Sequence, residues 1–188
     1  DVIDYLAEID PLDLSSKERN EYYFKKGYSY FEIDEFDDAA KAFYEIKDTD
    51  NLYVFAARYY YAHISYQDGK YQTASEHFSN LSNNPQFGSI VPFYLTQIFY
   101  LQRKYDQLLA YAPAVLDSAP PKKEEEIRKL IGDAYYETGQ FEKALPDLEK
   151  YLKTNRGTKQ DYYQLGYAYF QTTNYEQSIQ NFQKSVGD

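Results

Sequence analysis

Two histidines are the side chains of this sequence best suited to catalysis or to metal binding. His63 and His77 lie 14 residues apart, a spacing that places them on the two helices of one predicted hairpin. Two imidazoles alone make a poor metal site, because zinc sites in proteins take three or four protein ligands. The chain has no Cys, which excludes thiolate metal sites, disulfides and a cysteine nucleophile. The sequence therefore predicts no metal site.

The charged runs have a structural interpretation as well. The run KKEEEIRK at residues 122–129 places Glu four residues before a basic residue twice, as expected for i,i+4 ion pairs at the start of a helix. The sequence contains no glycine-rich phosphate loop and no nucleophile motif. We therefore predict that the chain is not an enzyme and that it uses no cofactor.

Composition and charge disfavour some classes of binding partner. The 188 residues carry a formal net charge of −10, with 30 acidic against 20 basic side chains. No cluster of Lys and Arg stands out, so neither nucleic acid nor an anionic membrane surface is predicted as a direct partner. The most apolar run, residues 90–101, is too short to span a bilayer, which predicts no membrane insertion in this segment. The lack of Cys slightly favours an exported or periplasmic location over the cytoplasm.

An internal repeat positions the remaining candidate residues. An aromatic residue is followed three residues later by a small residue and then by a bulky one, as in FEKALPDL and YEQSIQNF. These aromatic anchors are spaced 35, 34, 36 and 34 residues apart, and they are Phe36, Tyr71, Tyr105, Phe141 and Tyr175. A fixed period of this size is typical of stacked helical hairpins. Each unit accordingly reads as two helices with a short turn between them, and the sequence predicts an all-α fold.

Small residues recur where the two helices of a hairpin must approach each other. We predict a structural role, as contact points between antiparallel helices, for Gly27, Ala39, Ala74, Gly132, Ala144, Gly166 and Ser178. Because a single hairpin cannot bury its apolar face, the array is expected to be stable only as a stack.

The repeat unit resembles the tetratricopeptide repeat. In the two best units Gly stands at position 8, with Gly132 and Gly166 there, and aromatic residues stand at positions 11 and 17. The third unit departs from this pattern, because Thr96 and Leu108 replace its two small residues. The resemblance implies a right-handed superhelical solenoid of about five stacked antiparallel helix hairpins with an extra N-terminal helix.

The predicted boundaries follow from the repeat. Residues 1–19 are interpreted as an N-terminal helix and turn left from an upstream repeat. The five repeats are then 20–54, 55–88, the divergent 89–124, 125–158 and a truncated 159–188.

The resemblance also implies a concave groove lined by the first helices. With Gly132 and its equivalents at position 8, positions 5 and 9 supply the candidate partner-binding residues, which are Phe24, Tyr28, Tyr59, His63, Phe93, Gln97, Lys129, Asp133, Tyr163 and Tyr167. Position 12 is aromatic in every repeat and is interpreted as groove or packing; its residues are Phe31, Tyr66, Tyr100, Tyr136 and Phe170.

Two functions fit such an aromatic groove. The first is a non-enzymatic scaffold that binds another protein or a peptide, since aromatic side chains offer contact area at low entropic cost. The alternative is a protein that binds a small ligand or a glycan by stacking it on the Tyr rings, with Asp133 and Glu137 as nearby carboxylates. In family members that grip a C-terminal carboxylate, Lys at position 5 and Asn at position 9 form the clamp. Only Lys129 matches, so this mode of binding is not predicted.

Overall fold

The computed structural model describes residues 2–117, 119–154 and 157–187, apart from the side chains of residues 122 and 154. Over these residues the chain forms eleven α-helices and no strand, which confirms the predicted all-α fold. A single 3-10 turn, Pro11–Asp13, follows the first helix. The helices are α1 Val2–Ala7, α2 Ser16–Phe31, α3 Phe36–Tyr44, α4 Val54–Gln67, α5 Tyr71–Ser79, α6 Val91–Leu101, α7 Tyr105–Leu116, α8 Pro121–Glu137, α9 Phe141–Thr154, α10 Lys159–Gln171 and α11 Tyr175–Val186.

The chain divides into two compact units. Unit 1 comprises Asp1–Leu95 and unit 2 comprises Thr96–Asp188, so the division falls within the sequence of α6. In unit 1, α2 packs against α3 and α4 against α5 as helical hairpins, and α3 contacts α4 between them. In unit 2, the hairpins α8–α9 and α10–α11 are joined by contacts between α9 and α10. Each unit thus repeats the same alternation of contacts within and between hairpins.

Small residues lie where the helices of a hairpin touch. A Cβ atom added at Gly132 would lie 2.8 Å from the Leu148 side chain, and one added at Gly166 would lie 3.0 Å from the Phe182 ring. Across the second of these contacts, the buried Ser178 hydroxyl donates to the Gly166 carbonyl oxygen at 2.9 Å. A larger side chain at these glycines would push the two helices apart.

The turns within the hairpins share one backbone feature. Gly69 and Gly139 both have φ +72°, in the left-handed region that glycine enters without steric cost. The equivalent residues of the other three turns also have positive φ, although they carry a Cβ: Asp34 at 62°, Arg103 at 56° and Thr173 at 63°. All five hairpins therefore turn in the same way, whichever residue stands there.

Capping residues fix where several helices begin. Ser15 and Glu18 form a capping box at the start of α2, and Thr158 and Asp161 form another at the start of α10. Pro121 occupies the first turn of α8, where its missing N–H costs nothing. The cap at Ser15 starts α2 four residues before the predicted start of the first repeat.

Within the part of the chain that the structure describes, no helix has both the length and the apolar character that crossing a membrane requires.

Candidate functional site

The first helices carry stacked pairs of rings at positions 5 and 9. In unit 1 the rings of Phe24 and Tyr28 are stacked with centroids 6.3 Å apart, and those of Tyr59 and His63 with centroids 6.2 Å apart. Unit 2 repeats the arrangement, since Tyr163 and Tyr167 stack at 6.3 Å. Residues four apart lie above one another on one side of a helix, so these pairs follow directly from the repeat spacing.

In unit 1, several of the candidate rings pack against other rings or are buried. Phe24 stacks on Tyr53 at 4.7 Å, and Tyr59 stacks on Phe87 at 4.7 Å. Phe93 is almost completely buried. Tyr28 differs, because 40% of its surface is exposed. Of these residues, Tyr28 is therefore the most exposed.

The two histidines occupy different surroundings. The Nδ1 atom of His63 lies 3.0 Å from the hydroxyl of Tyr94, whereas His77 contacts the ring of Tyr61 edge-on at 5.1 Å. Burial lowers the pKa of both imidazoles. Among the residues that the structure describes, no group of three or more His, Asp or Glu side chains is arranged to hold a metal ion.

The aromatic residues at position 12 contact neighbouring helices. In unit 1, Phe31 packs against Tyr60 of α4 with centroids 4.9 Å apart, and in unit 2 Tyr136 packs edge-on against Tyr167 of α10 at 5.9 Å. Tyr66 and Tyr100 are also half-buried, while Phe170 keeps 50% of its surface exposed. Four of the five residues are thus partly covered by neighbouring side chains, and their role in the groove or in packing stays a prediction.

In the fourth repeat, positions 5 and 9 hold an ion pair in place of stacked rings. The Nζ atom of Lys129 bonds to Asp133 one turn along α8, to a carboxylate oxygen of Asp161 at 2.9 Å and to the amide oxygen of Gln164 at 3.2 Å. Asp133 and Asp161 are 5% and 6% exposed. The hydroxyl of Tyr100 lies 3.5 Å from the other oxygen of Asp133. The half-buried Lys129 therefore links α8 to α10 through one carboxylate on each helix.

The electrostatics of this network follow from burial and from the shared cation. Burial raises the pKa of Asp133, and Lys129 only partly opposes that change. For Asp161, burial acts in the same direction, but Lys129 and the hydrogen bonds at Thr158 outweigh it and lower its pKa. The two carboxylates in turn outweigh the effect of burial on Lys129 and raise its pKa. The network therefore favours the charged forms of Lys129 and Asp161, whereas burial disfavours the charged form of Asp133.

The network also leaves little of Lys129 available to a carboxylate from another molecule. The ammonium group of Lys129 is bound by two carboxylates, and the side chain as a whole is only 19% exposed. A C-terminal carboxylate of a peptide would have to displace both of them.

Side chains outside positions 5, 9 and 12 also take part in the ring stacking and in the network at Lys129, and these were not predicted. Tyr60 stacks on Phe43 at 5.2 Å, and Tyr94 stacks on Phe78 at 4.3 Å. Asp161 and Gln164 complete the network at Lys129. Tyr60, Tyr94 and Gln164 share position 6 of the repeat, which places all three on first helices but does not indicate which residues they contact.

Comparisons with known proteins agree with the repeat geometry. A model of the family described as "Tetratricopeptide repeat" matches residues 129–188. Among solved structures, MamA from AMB-1 is similar with a TM-score of 0.75 and 18% identity, covering 89% of this chain and 90% of that one. MamA from MSR-1 has a TM-score of 0.71 and 18% identity, covering 89% of this chain and 95% of that one. The MamA RS-1 double mutant has a TM-score of 0.74 and 16% identity, covering 92% of this chain and 94% of that one. No curated protein sequence matches the chain.

Proposed function

We propose, from the premise that residues 129–188 are tetratricopeptide repeats with the fold shared by the MamA structures, that each unit of this chain binds an extended segment of another protein on its first-helix face. The repeat family and the fold support a protein-interaction scaffold in general. The finer proposal, a peptide held against stacked aromatic rings, rests on the side chains of those faces.

The observation that carries the proposal is that each unit has a stacked pair of rings at positions 5 and 9 of which one ring is exposed. Tyr28 in unit 1 and Tyr163 in unit 2 keep 40% and 45% of their surface exposed, although each stacks on a ring one turn away. A stacked ring loses little side-chain entropy when a ligand covers it, because its partner already restrains it. Each unit therefore offers an ordered aromatic surface with a hydroxyl group at its edge.

The structure divides the predicted partner-binding residues into two groups. Tyr28 and Tyr163 are exposed, and Phe24, Tyr59, His63, Gln97 and Tyr167 are half-buried. Phe93 and Asp133 are buried, and Lys129 is held within its ion-pair network. We propose that the first group contacts the partner and that the second group supports the first helices from within.

The experiment is a pull-down from cell extract with the chain as bait, comparing wild type with the double variant Tyr28→Ala, Tyr163→Ala. We expect partners retained by wild type to be lost by the variant, since truncating a central aromatic contact costs about 2 kcal/mol or more of binding. The matched control is Tyr44→Ala in α3, whose ring is 58% exposed on a second helix. Retention of every partner by the double variant would rule out binding at these rings.

The alternative, glycan or small-ligand binding, uses the same exposed rings. Its polar groups are fewer than the sequence suggested, because Asp133 is buried and bonded to Lys129, which leaves the exposed Glu137. A thermal-shift screen with sugars distinguishes the two functions. A sugar that stabilises wild type but not Tyr163→Ala would favour the alternative over peptide binding.

A further inference from the structure

Position 13 of the repeat carries a carboxylate once in each unit. With Gly132 and its equivalents at position 8, the residues at position 13 are Glu32, Gln67, Leu101, Glu137 and Gln171. Glu32 in unit 1 and Glu137 in unit 2 are exposed. In the part of the chain that the structure describes, neither forms an ion pair with Lys or Arg. Each unit therefore has a first-helix carboxylate whose charge no described residue neutralises.

In unit 2, Glu137 lies among three tyrosine rings. It follows Asp133 by one turn of α8, so the two carboxylates share one side of the helix. The hydroxyl of Tyr100 lies 3.5 Å from a carboxylate oxygen of Asp133, and the ring centroids of Tyr100 and Tyr105 are 5.9 Å apart. Burial raises the pKa of these two phenols and of Tyr136, and the Glu137 carboxylate acts on each in the same direction. All three rings are only partly covered, so a ligand bound at Glu137 would also touch tyrosine.

Unit 1 has the same combination of groups at Glu32. This residue follows Tyr28 by one turn at the end of α2, and a hydrogen bond from the Tyr28 hydroxyl to its carboxylate raises the pKa of Tyr28. The ring of Tyr28 meets that of Tyr60 edge-on with centroids 5.6 Å apart. Burial and neighbouring tyrosines raise the pKa of Tyr60, and Glu32 adds to that effect. A carboxylate beside two or three tyrosine rings thus occurs in both units.

The other charges of the first-helix faces do not neutralise these carboxylates. Positions 5, 9, 12 and 13 of the five repeats contain one Lys and no Arg. That lysine, Lys129, is already bound by Asp133 and Asp161. Arg103, in the turn before α7, acts on one of the same rings without pairing with Glu137 in the described part of the chain. Because the whole chain also has a net charge of −10, these faces are complementary to a positively charged ligand.

The chain holds one of its own lysines with the same kinds of group. The ammonium of Lys47 lies 4.5 Å from the centroid of the Tyr44 ring and 5.3 Å from that of Tyr61, and it bonds to the carboxylate of Asp48. Lys47 is only 6% exposed, so these groups replace most of the water around its charge. Cations are attracted to the faces of aromatic rings as well as to carboxylates. Tyrosine rings and a carboxylate together thus hold a lysine in this protein.

We propose that the segment bound on each first-helix face is basic, with a Lys or Arg side chain placed against Glu137 in unit 2 and against Glu32 in unit 1. This inference rests on the proposed function and names the chemistry of the partner. Each cation lies against the tyrosine rings beside its carboxylate, as Lys47 does inside the chain. A segment with acidic side chains at these points is repelled.

Selection from a library of random heptapeptides displayed on phage tests the preference for basic segments. With the chain 1–188 as bait, we expect Lys and Arg to be enriched at least about threefold in the selected peptides over the input, as an exposed cation–π contact together with a surface ion pair would produce. The double variant Glu32→Gln, Glu137→Gln should lose this enrichment but still select peptides, because its tyrosine rings are unchanged.

The matched control is the double variant Glu45→Gln, Glu142→Gln. It removes the same charge from each unit, at exposed positions at the end of α3 and in the first turn of α9. Both positions belong to second helices, so we expect this variant to select basic peptides like wild type. Circular dichroism verifies that both double variants are folded.

A selected peptide then measures the contact directly by fluorescence anisotropy. Replacing its Lys and Arg residues with Gln should weaken binding to wild type about five- to tenfold, and should leave binding to Glu32→Gln, Glu137→Gln nearly unchanged. Selected peptides without basic enrichment, or an enrichment that the two double variants both keep or both lose, would overturn this inference and leave the proposed function intact. A wild type that selects no peptide would overturn both.

Discussion

At Lys129 a single cation holds two carboxylates that are almost fully buried. Replacing it as Lys129→Met would keep most of the side-chain volume but leave Asp133 and Asp161 without their counter-charge. Breaking a buried pair in this way costs about 3–5 kcal/mol of folding free energy. The exposed Lys143 of α9, replaced as Lys143→Met, should change stability by less than about 0.5 kcal/mol.

Urea unfolding of both variants at neutral pH measures the difference. Below the carboxyl titration range, the deficit of Lys129→Met should shrink, because protonation removes the unpaired charges. An equal effect of the two substitutions would show that the network contributes nothing beyond a surface ion pair.

The two histidines predict how stability depends on pH. Burial lowers the pKa of His63, and burial together with Lys47 and Arg58 lowers that of His77, relative to an unfolded value of about 6.5. As the pH falls through 6.5, the unfolded chain therefore binds protons before the folded chain does. The stability contribution is complete above that pH and is lost as the pH falls towards the lower folded values.

The measurement is urea unfolding of wild type and of the double variant His63→Gln, His77→Gln at pH 7.5 and 5.5. Wild type should lose stability between the two values, and the variant should lose less. Carboxylates do not produce this difference between the two proteins, because both contain the same ones. A variant that loses as much as wild type would contradict the assignment.

Among the elements, the hairpin turns show what a repeat imposes on its residues. All five turns need a left-handed residue, yet only two use glycine there. Thr173 is the most strained of the others, because a β-branched side chain at positive φ is a conformational outlier. Removing its Cβ as Thr173→Gly relieves about 1–2 kcal/mol of strain and adds unfolded-chain entropy, for an expected net gain of about 0.5–1 kcal/mol.

The reciprocal change is Gly139→Ala at the equivalent turn, which we expect to destabilise by a similar amount. Thermal unfolding of the two variants measures both. Destabilisation by Thr173→Gly would mean that the threonine makes a stabilising contact that exceeds its strain.

The turns also show how far sequence reasoning reaches at the level of elements. The periodic spacing of Phe141 and Tyr175 predicted the second helices, and glycine marked the turns at Gly69 and Gly139. At Asp34, Arg103 and Thr173 the residue type does not indicate a left-handed conformation, since the packing of the hairpin imposes it. The conformation there follows from the repeat rather than from the residue.

The candidate site likewise contains some contacts that the sequence predicts and others that it does not. Stacking of Phe24 on Tyr28 follows from their spacing on one helix, so the repeat pattern alone predicts it. The partners of Lys129 on α10 lie 32 and 35 residues further along the chain, at Asp161 and Gln164. Such residues meet because of the way α8 packs against its neighbours. The residue types at the repeat positions do not predict these contacts.

At the scale of the whole chain, damage at one hairpin should remain local. Leu148 is 1% exposed and lies against Gly132, Ala144 and Leu165 in unit 2. Leu148→Ala leaves a cavity there that costs about 2–5 kcal/mol, while Ala144→Leu overpacks the same contact at about 1–3 kcal/mol. In a stack of repeats each repeat is stabilised chiefly by its neighbours, so the loss of stability should fall on the fourth and fifth repeats.

Hydrogen exchange on Leu148→Ala tests this expectation directly. Amides from about Glu125 to Val186 should lose protection, whereas those of α2 to α5 in unit 1 should exchange as in wild type. The matched control is Leu52→Ala, since Leu52 is 87% exposed and its truncation should leave exchange unchanged throughout. If protection falls uniformly along the chain, the protein unfolds as one cooperative body. Its stability is then not the sum of contributions from single repeats and their interfaces, which is what the alternating hairpin contacts indicate.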